Sequence, residues 1–141
     1  MSIRFFFTGV KIVLSERKML KVFIGEMLKI EKRKLISLSI IFCTDEYLLE
    51  VNRQYLEHDY YTDIITFDYS EQYKISGDIY IGIETVNSNA TLLNSTYQSE
   101  LKRVIIHGIL HLCGFGDKTP VTEKIMHQKE DEALTLLFNQ L

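Results

Sequence analysis

The sequence predicts an α+β fold, in which a small four-stranded mixed sheet is flanked by about five helices. Short runs rich in β-branched and aromatic residues alternate irregularly with longer segments whose apolar residues recur every three or four positions. The length of 141 residues, with 46% hydrophobic and 25% charged residues, is ordinary for one domain with one core, expected to span residues 1–141. One predicted helix carries an H-x-x-x-H pattern whose surroundings indicate a metal site.

Two strands are expected in the first half of the chain. Runs rich in Phe, Ile and Val indicate strands over residues 3–7 and 35–43, with a further candidate over 10–14. Apolar residues alternate in the 35–43 run, as in a strand with one buried face. That face is expected to consist of Ile36, Leu38, Ile40 and Phe42.

A helix is predicted after each of these two strands. Ser15 is expected to cap the first helix, over about residues 16–32, because its hydroxyl can accept a hydrogen bond from a free backbone N–H. Apolar pairs recur every four residues in this segment and form one buried stripe. Thr44 or Asp45 is expected to cap the second helix, which runs to about Tyr55.

The second half begins with two more β-rich runs. They cover residues 63–69 and 78–82, and Gly77 precedes the second of them. Residues 84–94 follow and are predicted to be helical, although they are mostly polar.

The starts of the last two helices have recognisable patterns. Ser95 with Gln98 matches a capping box for the helix that carries the histidines. Thr119 stands before Pro120, which combines a capping residue with proline at the first helical position. A last helix is therefore predicted to run through about Phe138.

The most informative stretch is H-G-I-L-H-L-C-G-F-G-D, at residues 107–117. His107 and His111 are four residues apart, so both imidazoles point to the same side of a helix. Gly114 can end this helix in the left-handed conformation, which lets the chain fold back and deliver Asp117 to the same point. Two imidazoles and a carboxylate form a three-ligand metal site with room for water, which is typical of a hydrolytic centre and not of a closed structural one.

The apolar residues of the same helix predict where the histidines lie relative to the core. Its apolar residues share one stripe, namely Leu101, Val104, Ile105, Gly108 and Leu112. The two histidines flank that stripe, at the edge of the buried face, where a cleft is expected. Glu100 lies on the histidine side one heptad earlier, where it can orient His107 or simply act as a capping or surface carboxylate.

Two residues of the stretch bear on the chemistry. Zinc peptidases with an H-E-x-x-H helix place their general base directly after the first histidine, and Gly108 holds that position here. Asp117 brings a negative charge that a third histidine would not, so bound water should be less acidic. One zinc ion is the expected metal, although oxygen donors also accept other divalent ions.

Composition and charge indicate which other classes of protein the chain does not resemble. The net charge of −3 gives no general basic character that would point to nucleic acid, although a local basic patch can suffice. Cys43 and Cys113 both lie in apolar runs, which favours buried reduced thiols in a cytoplasmic protein over a disulfide framework. No segment approaches the roughly 18 consecutive apolar residues that a membrane span requires, so no membrane partner is expected.

The sequence resembles the YbeY family, a group of zinc-dependent endoribonucleases that act in ribosomal RNA maturation. The 107–117 stretch is similar to the family signature H-G-x-L-H-L-x-G-[FY]-D-H. Further matches in the right order are Tyr55, Asp59, residues 62–67, residues 77–79, Met126 and Glu130. The resemblance covers about residues 47–134 and implies a small mixed sheet flanked by helices. Carried over by position, it implies that the metal ligands are His107, His111 and Asp117.

The chain departs from the family pattern at two of these places. Asp117 stands where the family usually has histidine, and a carboxylate is an acceptable ligand. Leu56 stands where the family usually has an arginine that is associated with the phosphate. Arg53, three residues earlier on nearly the same helix face, can supply a guanidinium for phosphate instead, or be an ordinary exposed arginine. His58 is a further candidate for substrate binding or for acid–base chemistry.

Three functions are compatible with these residues. The resemblance implies a metal-dependent endoribonuclease that prefers single strands and acts in 16S rRNA processing and ribosome quality control. Its implied partners are ribosomal RNA and the small ribosomal subunit, and no role for DNA is expected. A non-enzymatic ribosome assembly factor with a structural metal is the second, because no evident general base is present. A metal hydrolase of another substrate is the third, although Gly108 argues against a peptidase. No catalytic residue beyond the metal ligands is predicted.

Overall fold

The computed structural model describes residues 3–12, 16–57 and 62–140. Within them, four strands and five helices follow the predicted order. Their bounds are β1 (Ile3–Thr8), α1 (Arg17–Ile30), β2 (Lys34–Cys43), α2 (Asp45–Leu56), β3 (Ile64–Asp68), β4 (Lys74–Gly82), α3 (Ile83–Leu92), α4 (Tyr97–Leu112) and α5 (Pro120–Gln140). The sheet has the order β1-β2-β4-β3, with β1, β2 and β4 parallel and β3 antiparallel to β4. The predicted α+β class with a four-stranded mixed sheet is therefore confirmed.

Helices cover both faces of this sheet. On one face, α1 and α4 pack against buried residues of β2 and β4 such as Leu38, Ile40 and Ile79. On the other face, α2 packs through Leu48 and Val51. Because α3 and α5 both contact α4, this helix is the central element on the side of the molecule that carries the histidines.

One residue of β2 lies on a different face from the one predicted. Leu35 pairs with Ile75 and Ser37 pairs with Ser76, so Ile36 is an extra residue that the register skips. Such a bulge reverses the inward and outward alternation on one side of it. Ile36 is consequently 44% exposed, and Leu35 packs against the core instead, whereas the other three predicted core residues of this strand are buried.

The helix starts confirm some predictions and correct another. The hydroxyl of Thr44 caps α2, which decides between the two candidates proposed for that position. The predicted capping box of Ser95 and Gln98 is wrong by one residue, because Thr96 is the N-cap of α4 and accepts a hydrogen bond from the backbone N–H of Ser99 at 3.1 Å. Serine and threonine are both favoured N-cap residues, so the pattern alone could not separate the two neighbouring positions.

The predicted start of α5 is confirmed. Thr119 and Thr122 exchange hydrogen bonds between hydroxyl and backbone N–H at 3.0 and 3.1 Å, and Pro120 is the first helical residue. Near the N-terminus, residues 10–12 of the candidate strand over 10–14 are not in a strand. The rest of that segment, together with the predicted cap Ser15, lies outside the described residues.

Two glycines let α4 approach the sheet closely. A Cβ atom on Gly77 of β4 would lie 2.8 Å from a methyl carbon of Leu112. A Cβ atom on Gly108 of α4 would lie 2.9 Å from Ile64 and 3.0 Å from Ile79. All three distances are too short for a carbon–carbon contact, so glycine at these positions fixes the depth at which the histidine helix sits on β3 and β4.

In the described part of the chain, no helix is long and apolar enough to cross a membrane. Cys43 and Cys113 are buried and free, as the sequence predicts. Burial raises the pKa of the Cys43 thiol to about 12 and that of Cys113 to about 11, so both stay protonated at neutral pH. Neither thiol is therefore suited to act as a nucleophile or a metal ligand.

Candidate metal centre

The structure brings together the three residues that the sequence predicts as metal ligands. The Nε2 atoms of His107 and His111 are 2.9 Å apart, and Oδ2 of Asp117 lies 3.2 Å from the first and 3.5 Å from the second. This is the group of histidine, cysteine and acidic side chains among the described residues whose arrangement could hold a metal ion. The side chains are 21%, 25% and 37% exposed, so the cluster is open on one side.

The end of α4 explains how Asp117 reaches the histidines. The backbone N–H of Gly114 donates to the carbonyl of His111 at 3.0 Å, and that of Phe115 donates to the carbonyl of Leu110 at 3.1 Å. These two bonds form a Schellman motif, which requires a positive φ at its glycine. Gly114 has φ +97°, and the chain turns back toward the helix directly after it.

Hydrogen bonds to the other ring nitrogens orient both imidazoles. Nδ1 of His107 lies 2.6 Å from Oε2 of Glu130, and Nδ1 of His111 lies 2.9 Å from the backbone carbonyl of Phe115. Since a carboxylate and a carbonyl only accept, both Nδ1 atoms carry the proton. The two Nε2 lone pairs therefore face each other and Asp117, an arrangement that needs a proton or a cation between them.

The spacing of these three atoms fits a small metal ion. Ligands 2.0–2.1 Å from a tetrahedral zinc ion lie about 3.3–3.4 Å from one another. The observed separations of 2.9, 3.2 and 3.5 Å lie around that value. Two imidazole nitrogens with one carboxylate oxygen are also a donor set that zinc accepts, and a fourth position remains for water or substrate.

Glu130 of α5, and not Glu100, orients His107. Its carboxylate is 3% exposed, and its second oxygen accepts a hydrogen bond from Arg103 at 2.9 Å. The guanidinium of Arg103 also contacts Asp131 at 3.3 Å. Neither alternative for Glu100 holds: α5 packs across α4 and places Glu130 at the His107 ring, Thr96 caps the helix, and Glu100 is 5% exposed and so is not a surface carboxylate.

The charges in this network shift the pKa values of its members. Burial disfavours the charged imidazole of His107, but the hydrogen bond and charge of Glu130 outweigh it and raise its pKa. Burial and the charge of His107 lower the pKa of His111. Burial would raise the pKa of Glu130, but His107 and Arg103 together hold it below its usual range. In the metal-free protein, one proton on His107 can therefore occupy the space between the two Nε2 atoms.

The cluster forms one wall of a cavity of about 310 Å³. The cavity is lined by Asp63, Leu93, Glu100, Arg103, Val104, His107, Asp117, His127 and Glu130. Four of these residues carry carboxyl groups, and one carries a guanidinium. A phosphate group would therefore meet a predominantly negative surface here unless a cation were bound at the cluster.

Arg53, one of the two candidate substrate residues, lies away from the cavity. Arg53 is on α2, which covers the opposite face of the sheet, and its guanidinium bonds Glu50 at 3.1 Å. It is not among the described residues that line the cavity, and Arg103 supplies a guanidinium there instead. Leu56, at the position of the family arginine, ends α2 and is 37% exposed. His58 lies outside the described residues, so its role stays a prediction.

Sequence reasoning did not assign a site role to Arg103, Asp63, His127 or Glu130. Asp63 and Glu130 both lie at positions that match the family pattern, but neither match carried a role. Asp63 directly precedes β3, and burial raises the pKa of its carboxyl group. Its position at the cavity follows from the packing of α4 on β3, which spacing along the sequence does not reveal.

The packing around Gly108 excludes a peptidase general base at this position more firmly than the sequence alone does. Any side chain at this position would be directed at Ile64 and Ile79 of the sheet, because a Cβ atom would already lie 2.9 and 3.0 Å from them. A carboxylate introduced there would be pressed into an apolar core and not presented to the cluster. The reaction class of the H-E-x-x-H peptidases is therefore not available to this helix.

Gly114→Ala is expected to destabilise the metal-free protein by about 1–2 kcal/mol, because an alanine resists the positive φ that the turn requires. Gly116→Ala is the matched control, since no atom lies within 4 Å of its added Cβ and its φ is not positive. Urea unfolding measures both, and the control should change the free energy of unfolding by no more than about 0.5 kcal/mol. Equal effects of the two substitutions would contradict the assigned role of Gly114.

Comparison with known proteins places this chain in a family. Residues 10–137 match the family model described as Endoribonuclease YbeY. An endoribonuclease YbeY from Parabacteroides distasonis is 47% identical over 97% of this chain and 96% of its own length. One from Phocaeicola vulgatus is 50% identical over 92% and 94%. A solution structure of a Thermotoga maritima protein superposes with a TM-score of 0.67 at 30% identity, covering 98% of this chain and 90% of that one.

Proposed function

This chain belongs to the YbeY family of endoribonucleases, and on that premise we propose that it is a metal-dependent endoribonuclease that favours single-stranded RNA. The observation that carries the proposal is the convergence of two Nε2 atoms and one carboxylate oxygen within 3.5 Å of one another at an open cavity. The resemblance extends the proposal to 16S ribosomal RNA in the cytoplasm, with the small ribosomal subunit as partner. Residues 1–141 are taken as one such domain.

We propose that His107, His111 and Asp117 hold one divalent ion, with zinc as the first candidate. The chemistry that such an ion supplies when bound is Lewis acidity toward a phosphodiester oxygen and toward water. The protein's own contribution begins with orientation. Glu130 and the carbonyl of Phe115 keep protons on the Nδ1 atoms, which leaves both Nε2 lone pairs available as ligands.

The charge of the cavity explains why the ion is also needed for binding. Asp63, Glu100, Asp117 and Glu130 all present carboxyl groups to it. Arg103 carries the one guanidinium among the described residues that line the cavity, but Glu130 and Asp131 already engage it. A bound divalent ion would offset this negative charge at the point where a phosphate must approach.

Cleavage of a single-stranded RNA by protein stripped of metal and then reloaded tests the proposal. We expect no cleavage by the stripped protein, recovery on addition of one equivalent of zinc or another divalent ion, and weaker cleavage of the same RNA in a duplex. A protein that holds metal and binds the small subunit but never cuts RNA would instead favour the non-enzymatic assembly factor.

A further inference from the structure

A second acidic residue in the cavity, Glu100, has no structural partner. It is 5% exposed and lines the cavity beside Val104. Among the described residues, no group donates a hydrogen bond to its carboxyl oxygens, and Arg103 acts on it through charge alone. The donors of that guanidinium are directed at Glu130 and Asp131.

The carboxyl group of Glu100 opens onto the cavity, because among the described residues the hydroxyl of Tyr97, and not Glu100, is the fully buried polar group without a partner. Transfer of a carboxyl group out of water is unfavourable unless a partner replaces the lost hydration. Burial accordingly raises the pKa of Glu100. A carboxyl group that has no protein partner and opens onto a cavity accepts hydrogen bonds from the water there, and a ligand with a donor at the same place can replace that water.

The cavity around Glu100 has the size and lining of a small-molecule site. Its volume of about 310 Å³ lies at the lower end of the range for such sites. Leu93 and Val104 give it apolar surface, while the candidate metal ligands His107 and Asp117 stand at its other side. A planar, partly apolar group with a hydrogen-bond donor at its edge would suit this combination.

We propose that the cavity is a nucleobase subsite next to the scissile phosphate, and that the carboxyl group of Glu100 accepts a hydrogen bond from the exocyclic amino group of adenine, cytosine or guanine. Leu93 and Val104 supply apolar contact to the base. This inference rests on the proposed function, because it assumes that the ligand of the cavity is RNA.

Uracil is the base that this subsite disfavours. It is the one RNA base without an exocyclic amino group, and the carbonyl oxygen that replaces the amino group of cytosine at position 4 would place an acceptor against the acceptor oxygens of Glu100. Carboxylates recognise cytosine through its N4 amino group for the same reason. A site built to hydrogen-bond one group rejects an analogue that lacks it, because the buried partner is then left unsatisfied.

Cytidine and uridine 5′-monophosphate form a matched pair of probes, since they differ mainly in the group at position 4. We expect the metal-loaded wild-type protein to bind the cytidine nucleotide at least about fivefold more tightly in an NMR titration. The near-isosteric Glu100→Gln should bring the two affinities to within about twofold, because an amide can either accept from the amino group or donate to the carbonyl. Glu46→Gln, an exposed change in the first turn of α2, should keep the wild-type preference.

Equal affinities in the wild type, no binding of either nucleotide, or an unchanged preference in Glu100→Gln would each overturn the subsite. The wild-type comparison alone decides this if the variant folds poorly. Cleavage of single-stranded RNA, followed in parallel, separates the two proposals. RNA cleavage without any base preference would remove the subsite and leave the nuclease function. A base preference in binding without any cleavage would support the subsite and remove the nuclease function.

Discussion

Replacing His111 with alanine is expected to abolish metal binding and RNA cleavage together. The substitution removes one of the two Nε2 atoms that stand 2.9 Å apart, and it leaves His107 and Asp117 as the remaining candidate ligands. Metal assistance contributes several kcal/mol of transition-state stabilisation, so the rate of cleavage should fall by about 10³-fold or more. Elemental analysis and a single-stranded RNA assay on the same sample measure the two losses.

His127→Ala is the control for this change. His127 lines the same cavity, but its side chain is 61% exposed and contacts Glu123 and Glu130, not the cluster. It should retain one metal ion per chain. An His111→Ala protein that cut RNA as fast as the wild type would show that the cluster is not the catalyst and that a contaminating nuclease accounts for the activity.

Glu130→Gln is expected to weaken metal binding by about 10–100-fold while the fold persists. The carboxylate of Glu130 accepts hydrogen bonds from His107 at 2.6 Å and Arg103 at 2.9 Å and is almost fully buried. The amide has nearly the same shape, but it has one acceptor oxygen and no charge with which to serve both donors. Competition with a chromophoric chelator measures the affinity.

Asp131→Asn is the matched control, because Asp131 contacts the same guanidinium at 3.3 Å but is 69% exposed. It should leave the metal affinity within about twofold of the wild type, since exposed ion pairs contribute little. A comparable loss in both variants would mean that Arg103, and not the contact of Glu130 with His107, sets the affinity.

Glu130 should also shape the acid stability of the metal-free protein. Because its pKa is held below the ordinary glutamate value in the folded state, its ionised form stabilises the fold above that ordinary value. This contribution is lost as the pH falls through the lowered pKa. Glu130→Gln has no such group, so its free energy of unfolding should depend less steeply on pH in that acidic range.

The grouping of His107, His111 and Asp117 could be predicted from the sequence because its geometry is local. The helical repeat places His107 and His111 on one side of α4, and Gly114 closes the helix so that Asp117 returns within three residues. Helix periodicity and the conformational freedom of glycine carry that inference without any knowledge of the rest of the fold. The family resemblance assigns the same three residues.

The supporting residues could not be predicted in this way. Glu130 follows His107 by 23 residues, and only the packing of α5 on α4 brings them together. Glu100 has the favourable spacing on the same helix, but the hydrogen bond to His107 comes from Glu130. Ile36 shows the same limit in the sheet, because a bulge between paired strands is decided by tertiary pairing and not by alternation.

The structure shows what the two departures from the family pattern change at the site. Asp117 keeps its oxygen within 3.5 Å of both histidine nitrogens, so the substitution retains the ligand position and adds negative charge. Leu56 removes a guanidinium from the end of α2, whereas Arg103 presents one to the cavity from α4. The cationic surface that a phosphate would meet therefore consists of Arg103 and the proposed metal ion.

The metal content of the gently purified protein tests the central claim most directly. Elemental analysis should find one zinc or other divalent ion per wild-type chain and a large loss in Asp117→Ala, in which the third ligand is missing while both imidazoles keep their partners. A wild-type protein that carries no stoichiometric metal, and takes up none when ions are added back, would contradict the account.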